Sequence, residues 1–220
     1  MRTRVKICCI LNEDEAALAV RLGADAVGLV GPGLSGPEVR DEATIARIAA
    51  TIPPFVASVL LTRVSEPEAL ADQVARCGAR VVQICDAVSP QAYAAVRARC
   101  PGVAIAQVVH VADETAIAQA QALDGRVDAI LLDSGTPHAS TPVYGGTGAT
   151  HDWSISARVV RAVRTPVILA GGLRAHNVRE AIRTVQPWAL DLCSGIRTEG
   201  RLDEAEARAF LDAVAAESRD

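Results

Sequence analysis

The sequence lacks the features that mark several common classes of protein. Its net charge at pH 7 is only −4 over 220 residues, which argues against a nucleic-acid partner because nucleic-acid binders present a basic surface. No apolar run reaches membrane-spanning length, and the first residues, MRTRVK, lack the layout of a signal peptide. We therefore expect a cytoplasmic protein that binds neither nucleic acid nor membrane.

Lysine and paired cysteines are also scarce. Lys6 is the only lysine, and the six cysteines are scattered without the spacing of a metal site. A chain of this length does not need disulfides to hold its core together. We expect no bound metal and six reduced thiols, at Cys8, Cys9, Cys77, Cys85, Cys100 and Cys193.

The sequence is rich in short apolar runs that alternate with helical patterns. Half of its residues are hydrophobic, and eight apolar runs are each followed by a stretch of helical periodicity. Continuously apolar strands are typical of parallel strands that helices cover on both faces. The predicted strands are 5–10, 26–30, 55–62, 81–86, 104–111, 129–135, 166–172 and 189–195. Eight such pairs predict an α/β fold, a single (β/α)8 TIM barrel domain over residues 1–220, with a doubly wound open sheet as the alternative.

Good helix-capping residues precede several of the helical stretches, and glycine-containing turns follow three predicted strands of the second half. The caps are Asn12, Ser65, Ser89 and Asp113. The turns carry Gly145, Gly146, Thr147 and Gly148 in YGGTGATHDW, then Gly171 and Gly172, then Ser194 and Gly195. Loops after barrel strands face one common mouth, and glycine lets backbone amides approach an anion. Together the turns predict a phosphorylated small-molecule substrate, although any one alone could be a plain turn.

The motifs resemble the phosphoribosylanthranilate isomerase family of tryptophan biosynthesis. Matching stretches run in order through nearly the whole chain: KICCI, GADAVGLV, VVQIC, LLDS, GGTG followed by DW, LAGGL followed by NV, and DLCSG. The resemblance implies a (β/α)8 barrel that converts an N-(5-phosphoribosyl) aromatic amine into its 1-amino-1-deoxyribulose isomer. This Amadori rearrangement needs neither metal nor cofactor.

The resemblance also implies one acid and one base. Opening the ribose ring needs a proton on the ring oxygen, and the resulting Schiff base must lose a proton from C2′. The family's acid corresponds to Asp133 and its base to Cys8. We expect burial to raise the pKa of Asp133, and a nearby cation such as Lys6 to favour the thiolate of Cys8. From the residues alone, Asp133 could instead cap a helix and Cys8 could be a small buried hydrophobic residue. We expect Cys9, which points the opposite way along the strand, to be structural. We expect the same of Cys193.

Three positions depart from the family pattern where it recognises the aromatic amine. The family's serine, proline, arginine sequence after strand two is replaced by GPGLSGPEVRDE, in which the nearest arginine is Arg40. In strand four Gln83 matches, but the family's next residues are replaced by Ile84, Cys85 and Asp86. Strand five ends in His110, where the family pattern has no histidine. Arg40 and His110 are candidates for binding substrate; an exposed arginine at a helix start and a histidine that caps a strand are the alternatives.

Compared with the family pattern, the sequence keeps the phosphate turns and the proton-transfer groups but changes the residues that contact the amine. This combination predicts an isomerase of this family. Phosphoribosylanthranilate is the first substrate expected, and another phosphorylated amino sugar is the competitor. Two further interpretations remain open: a barrel that binds a phosphorylated ligand without catalysis, and a Schiff-base aldolase that uses Lys6. The sequence is compatible with a monomer or a homodimer.

Overall fold

Eight strands form a closed barrel in chain order, in a computed structural model that describes residues 2–34, 36–134 and 150–217. The strands are β1 (Arg4–Ile7), β2 (Ala26–Val30), β3 (Ala57–Thr62), β4 (Val81–Ile84), β5 (Ala104–His110), β6 (Ala129–Asp133), β7 (Val167–Leu169) and β8 (Ala189–Leu192). The helices are α1 (Glu13–Leu22), α2 (Glu42–Thr51), α3 (Pro67–Cys77), α4 (Pro90–Arg99), α5 (Thr115–Leu123), α6 (Trp153–Ala162), α7 (Val178–Val185) and α8 (Glu204–Glu217). The predicted (β/α)8 fold is confirmed, and the open sheet is excluded.

A short insertion between β8 and α8 was not predicted. It consists of a 3₁₀ turn, Ser194–Ile196, followed by a two-stranded antiparallel hairpin of β9 (Arg197–Thr198) and β10 (Arg201–Leu202). Strands of two residues leave too short an apolar run for a sequence pattern to reveal.

The chain packs as two compact units. One comprises Met1–Lys6 and Val109–Asp220, and the other comprises Ile7–Val108. One domain over residues 1–220 remains our proposal, and its expected signature is a single cooperative unfolding transition followed by different probes. Among the described residues, no helix is long and apolar enough to cross a membrane.

In the unit Ile7–Val108, the predicted caps Asn12 and Ser89 stand at the N-cap positions of α1 and α4, but Ser89 forms no side-chain capping hydrogen bond. Asn12 caps α1 as predicted, accepting a hydrogen bond from the amide of Glu15 at 2.9 Å. The predicted cap Ser65 is wrong by one residue, since Glu66 accepts from the first amides of α3 instead. Pro67 explains the shift, because proline favours the first helical position and so makes the residue before it the cap.

The start of β3 also differs from the prediction. The apolar run begins at Phe55, but β3 begins at Ala57, and Phe55 is fully exposed with a left-handed φ of 71°. Pro53 and Pro54 precede it and lack the amide that a strand ladder requires. The chain therefore turns before the strand can begin.

In the other unit, β6, β7 and β8 pair in parallel and fix the level of the residues at their ends. Leu132 pairs with Leu169, which pairs with Leu190, and all three are fully buried. Strands β7 and β8 end earlier than predicted because the glycine turns begin there. One residue beyond this leucine level stand Asp133 and Asp191.

Candidate active site

Asp133 is the last residue of β6, and its carboxyl group is poorly hydrated. The residue as a whole is only partly covered, yet burial of the carboxyl raises its pKa above the usual range for aspartate. The negative charge of Asp191 adds to the rise. The amide of Ser134, which donates to Oδ1 at 2.8 Å, and the charges of His110 and Lys6 act against it. The net direction is the predicted one and suits a general acid, which must keep its proton near neutral pH.

A buried ion pair lies in the same unit. Nζ of Lys6 in β1 is 2.8 Å from Oδ1 of Asp191 in β8, and the side chains are only 6% and 7% exposed. The sequence analysis singled out Lys6 but missed Asp191. The sequence did contain a signal for this pair: one acidic residue lies inside an apolar strand, and the only lysine lies inside another. Because buried charges need partners, these two residues could have been predicted to pair. An ammonium in a buried ion pair also argues against the aldolase interpretation, which needs a neutral Lys6 amine.

The turn after β7 packs tightly against the end of β6. Gly171 has a φ of 88°, and a Cβ at this position would lie 2.9 Å from Oγ of Ser134. Both the left-handed backbone and the short distance therefore require glycine. Oγ of Ser134 is buried and forms no hydrogen bond with any residue that the structure describes.

The turns after β7 and β8 contact each other. A Cβ at Gly195 would overlap the carbonyl oxygen of Leu173, so only glycine permits this approach. Asn177 holds the first turn in shape: its Nδ2 donates to the Gly172 carbonyl at 3.0 Å, and its Oδ1 accepts from the Arg174 amide at 2.8 Å. Asn177 is the first residue of the NV dipeptide of the family motif, but no role for it was predicted from the sequence. Two of the three predicted phosphate turns thus lie together, Gly171 and Gly172 in one, Ser194 and Gly195 in the other.

The third predicted turn, with Gly145, Gly146, Thr147 and Gly148, lies outside the described residues. The helix predicted after it is present. Asp152 caps α6, its Oδ1 accepting from the amide of Ser154 at 2.8 Å.

Cys8 follows β1 directly and is 5% exposed. The predicted strand extended to Ile10, but Cys9 is half-buried and has a left-handed φ of 65°. Strand alternation ends before this residue, so the prediction that Cys9 points to the opposite strand face is wrong. All six cysteines are thiols, as predicted.

Arg40 folds back over the loop that follows β1. Its Nε donates to the Leu11 carbonyl at 2.9 Å, and its Nη1 donates to the carbonyls of Pro37 and Val39 at 2.9 and 2.8 Å. The residue is partly buried, and Asp41 rather than Arg40 caps α2. An exposed arginine at a helix start is therefore not what the structure shows.

The altered end of β4 is held by a network that the sequence analysis missed. Gln83 is buried in the strand, at 5% exposure. Nε2 of Gln107 donates to the carbonyls of Ile84 and Asp86 at 3.1 and 2.9 Å, while the Asp86 carboxylate pairs with Nε of Arg63 at 2.8 Å. A glutamine inside an apolar strand was the signal, since a buried amide must find hydrogen-bond partners.

His110 is the last residue of β5 and is partly buried. The amide of the next residue, Val111, donates to the Asp133 carbonyl at 2.8 Å, which fixes the two strand ends side by side. The positive charge of His110 lowers the pKa of the Asp133 carboxyl. Among the described residues, no three His, Cys, Asp or Glu side chains form a group that could hold a metal ion.

The fold and these groups define a class of protein. A (β/α)8 barrel that carries a buried carboxyl of raised pKa at the end of β6, and contacting glycine turns after β7 and β8, has the arrangement of a barrel enzyme, whose active site lies at the carboxyl ends of its strands. Residues 5–213 match the family model described as N-(5'phosphoribosyl)anthranilate (PRA) isomerase. The chain therefore belongs to the PRA isomerase family, and the resemblance seen in its motifs is confirmed.

Individual relatives agree over nearly the full length. The N-(5'-phosphoribosyl)anthranilate isomerase of Halobacterium salinarum is 40% identical over 214 residues, spanning 95% of this chain and 94% of the relative. The crystal structure of the Thermotoga maritima phosphoribosyl anthranilate isomerase superposes with a TM-score of 0.83 at 31% identity, covering 97% of this chain and 99% of that one. A crystal structure of a phosphoribosyl anthranilate isomerase in complex with reduced 1-(o-carboxyphenylamino)-1-deoxyribulose 5-phosphate superposes with a TM-score of 0.80 at 29% identity and the same coverage.

Proposed function

We propose that this protein catalyses the Amadori rearrangement of phosphoribosylanthranilate to 1-(o-carboxyphenylamino)-1-deoxyribulose 5-phosphate. The observation that carries the proposal is the carboxyl of Asp133 at the end of β6, whose pKa is raised by burial. Membership of the family supports the reaction class, and the relative solved with a reduced form of the product supports the substrate.

Asp133 acts first, as the general acid. It delivers a proton to the ring oxygen as the C1′–oxygen bond breaks, which leaves an open-chain protonated Schiff base. A carboxyl that is ionised at neutral pH has no proton to give, so the raised pKa is what makes this role possible. On this account kcat falls as the pH rises through the pKa of Asp133.

Cys8 acts second, as the general base. It removes the proton from C2′ of the Schiff base and produces an enolamine, which becomes the product ketone when a proton leaves the C2′ hydroxyl and one adds to C1′. The thiolate is the form that can accept the proton. Support for this role comes from the match of KICC to the family motif and from the position of Cys8 directly after β1, where barrel enzymes carry active-site groups.

We assign the substrate phosphate to the glycine turns at Gly171, Gly172, Ser194 and Gly195, together with Gly145, Gly146, Thr147 and Gly148. The contact between the turns after β7 and β8 supports this, because backbone amides from two adjacent turns can then reach one phosphoryl group. Phosphate is commonly bound at this corner of a (β/α)8 barrel.

Arg40 is the proposed partner of the anthranilate carboxylate. Its hydrogen bond to the Leu11 carbonyl draws the guanidinium toward the loop that follows Cys8. Its Nη2 forms no hydrogen bond with the described residues and can donate to a carboxylate oxygen. Gln83 and His110 are proposed as further substrate contacts from β4 and β5.

Turnover of phosphoribosylanthranilate by the purified protein tests the proposal, with the loss of substrate fluorescence as the measurement. We expect saturable turnover without added metal or cofactor, and its loss in both Cys8→Ser and Asp133→Asn while the circular dichroism of each variant stays native. Full activity in either variant contradicts its assigned role, and no turnover by the wild type contradicts the substrate.

A different phosphorylated amino sugar is the second candidate substrate. The observation that favours it is the altered end of β4, where Asp86 pairs with Arg63 and is held through Gln107. A carboxylate at this position is a poor neighbour for an anionic amine such as anthranilate. Comparing kcat/KM for phosphoribosylanthranilate with that for the phosphoribosyl derivative of aniline, which lacks the carboxylate, separates the two: a higher value for the aniline derivative favours the second candidate.

Two broader assignments complete the proposal. We propose that the protein acts in the cytoplasm, which the thiol state of all six cysteines supports. We also propose that it works as a monomer or a homodimer, which sedimentation at several protein concentrations distinguishes.

A further inference from the structure

Asp191 stands in the same strand register as the proposed acid. Leu132, Leu169 and Leu190 pair across β6, β7 and β8, so the next residues of β6 and β8 are Asp133 and Asp191. Residues in register on neighbouring parallel strands project from the same face of the sheet. The side chains of Asp133 and Asp191 therefore lie on one face, with β7 between them, and burial around Asp133 and Asp191 leaves little water to screen their charges.

A buried cation accompanies Asp191. Nζ of Lys6 contacts Oδ1 of Asp191 at 2.8 Å, and the pair is more than nine-tenths covered. The negative charge of Asp191 raises the pKa of the Asp133 carboxyl, while the positive charge of Lys6 lowers it.

We propose that the buried Lys6–Asp191 pair tunes the protonation of Asp133, with Asp191 favouring the protonated form and Lys6 opposing it, so that both are positioning residues for the acid and do not touch the substrate. The inference rests on the proposed function for its biological meaning, but the protonation of Asp133 can be measured without turnover. The other group whose charge acts on this carboxyl is His110 at the end of β5, which acts in the same direction as Lys6, and the Ser134 amide adds a hydrogen bond.

Removing one member of the pair at a time has opposite effects. Asp191→Asn removes the negative charge and leaves the Lys6 ammonium without its carboxylate, so Asp133 should lose its proton at lower pH. Lys6→Met removes the positive charge and leaves the Asp191 carboxylate unneutralised, so Asp133 should keep its proton to higher pH. If the pair only stabilised the barrel, its loss would lower the stability of both variants, but it would not shift the titration midpoint of Asp133 in opposite directions.

The experiment is a carboxyl titration by NMR of the full chain labelled with ¹³C at the aspartate carboxyl carbons. Asp133 is assigned from the signal that disappears in Asp133→Asn. We expect its midpoint to fall in Asp191→Asn, to rise in Lys6→Met, and to lie between the wild-type and Asp191→Asn values in the double variant, because the charge of Asp191 acts more strongly than that of Lys6. Glu204→Gln, which breaks the exposed pair with Arg208, is the matched control and should leave the midpoint unchanged.

Midpoints that stay fixed, or that move the same way in both single variants, overturn the inference. Should the single variants unfold, the double variant decides, because it leaves no unpaired buried charge. A double-variant midpoint at or above that of the wild type then contradicts the inference. The alkaline limb of the pH profile of kcat should move with the NMR midpoint. Absence of phosphoribosylanthranilate turnover would count against the proposed function alone, since the titration needs no substrate.

Discussion

The side-chain amide of Asn177 donates to the carbonyl oxygen of Gly172 at 3.0 Å and so ties the start of α7 to the proposed phosphate turn. Because Oδ1 of the same side chain accepts from the Arg174 amide at 2.8 Å, both ends of the turn depend on one residue. This relationship leads to the first prediction.

Asn177→Ala should raise KM about tenfold with little change in kcat, since each lost hydrogen bond contributes on the order of 1 kcal/mol to the shape of the turn. Steady-state kinetics measure both parameters. His176→Ala, at the exposed neighbouring position, is the control and should leave KM unaltered. An unchanged KM in Asn177→Ala would remove the proposed link between this side chain and phosphate binding.

Gly171→Ala should lower the free energy of unfolding by about 1 to 3 kcal/mol, because a left-handed φ and a close contact with Ser134 act together. Gly102→Ala is the matched control: its φ of 91° is similar to the 88° of Gly171, but a Cβ there would meet nothing within 4 Å. Urea denaturation should show the larger loss for Gly171→Ala. Equal losses would mean that backbone strain alone, and not the approach to Ser134, requires the glycine.

Asp133→Asn should abolish most activity while increasing stability at neutral pH. A general acid contributes about 10²- to 10⁴-fold to the rate, which sets the expected loss of kcat. The folded-state pKa of Asp133 is raised, so the unfolded chain releases this proton more readily, and the carboxyl costs stability once the pH exceeds the ordinary aspartate pKa of 3.8.

The stability gain from Asp133→Asn should therefore be larger at pH 8 than at pH 4, because the cost of the carboxyl grows as the pH rises above the ordinary aspartate pKa. Thermal unfolding of wild type and variant at the two pH values gives the comparison. A gain that does not depend on pH would contradict a buried, protonated carboxyl.

Arg40→Met should lower kcat/KM for phosphoribosylanthranilate by about 10- to 100-fold, since a hydrogen bond to a charged group contributes about 1.5 to 3 kcal/mol. The loss should be much smaller for a phosphoribosyl amine without a carboxylate, which makes substrate comparison the decisive measurement. Arg47→Met removes an exposed arginine of α2 that pairs with Glu13, and it should change neither substrate's kinetics. Equal losses for both amines would assign Arg40 a purely structural role.

The sequence predicted the strands well where burial dictates composition, and poorly where the backbone turns. Leu132 and Leu169 lie in continuously apolar runs that only strands covered on both faces require. The ends of those strands depend on local backbone conformation, as the left-handed residues Phe55 and Cys9 show. A run of apolar residues does not record such a conformation, and seven of the eight predicted strands differ from the observed strands at one end or both.

The candidate site was predictable where a short motif carries the chemistry, as with Asp133 and the glycine turns. It was not predictable where two distant segments meet. Lys6 and Asp191 stand at opposite ends of the chain, and the three acceptors of Gln107 Nε2 are backbone carbonyls that no sequence pattern marks. Pairing between buried polar groups follows from the closed barrel, and only the three-dimensional structure supplies it.

The central claim, that Cys8 removes the proton from C2′ of the sugar after Asp133 has opened the ring, is tested most directly with substrate carrying deuterium at C2′. NMR follows the loss of that deuterium. We predict that the wild type releases it as product forms, and that Cys8→Ser releases it at least about 100-fold more slowly. Release at the wild-type rate in Cys8→Ser would contradict the account.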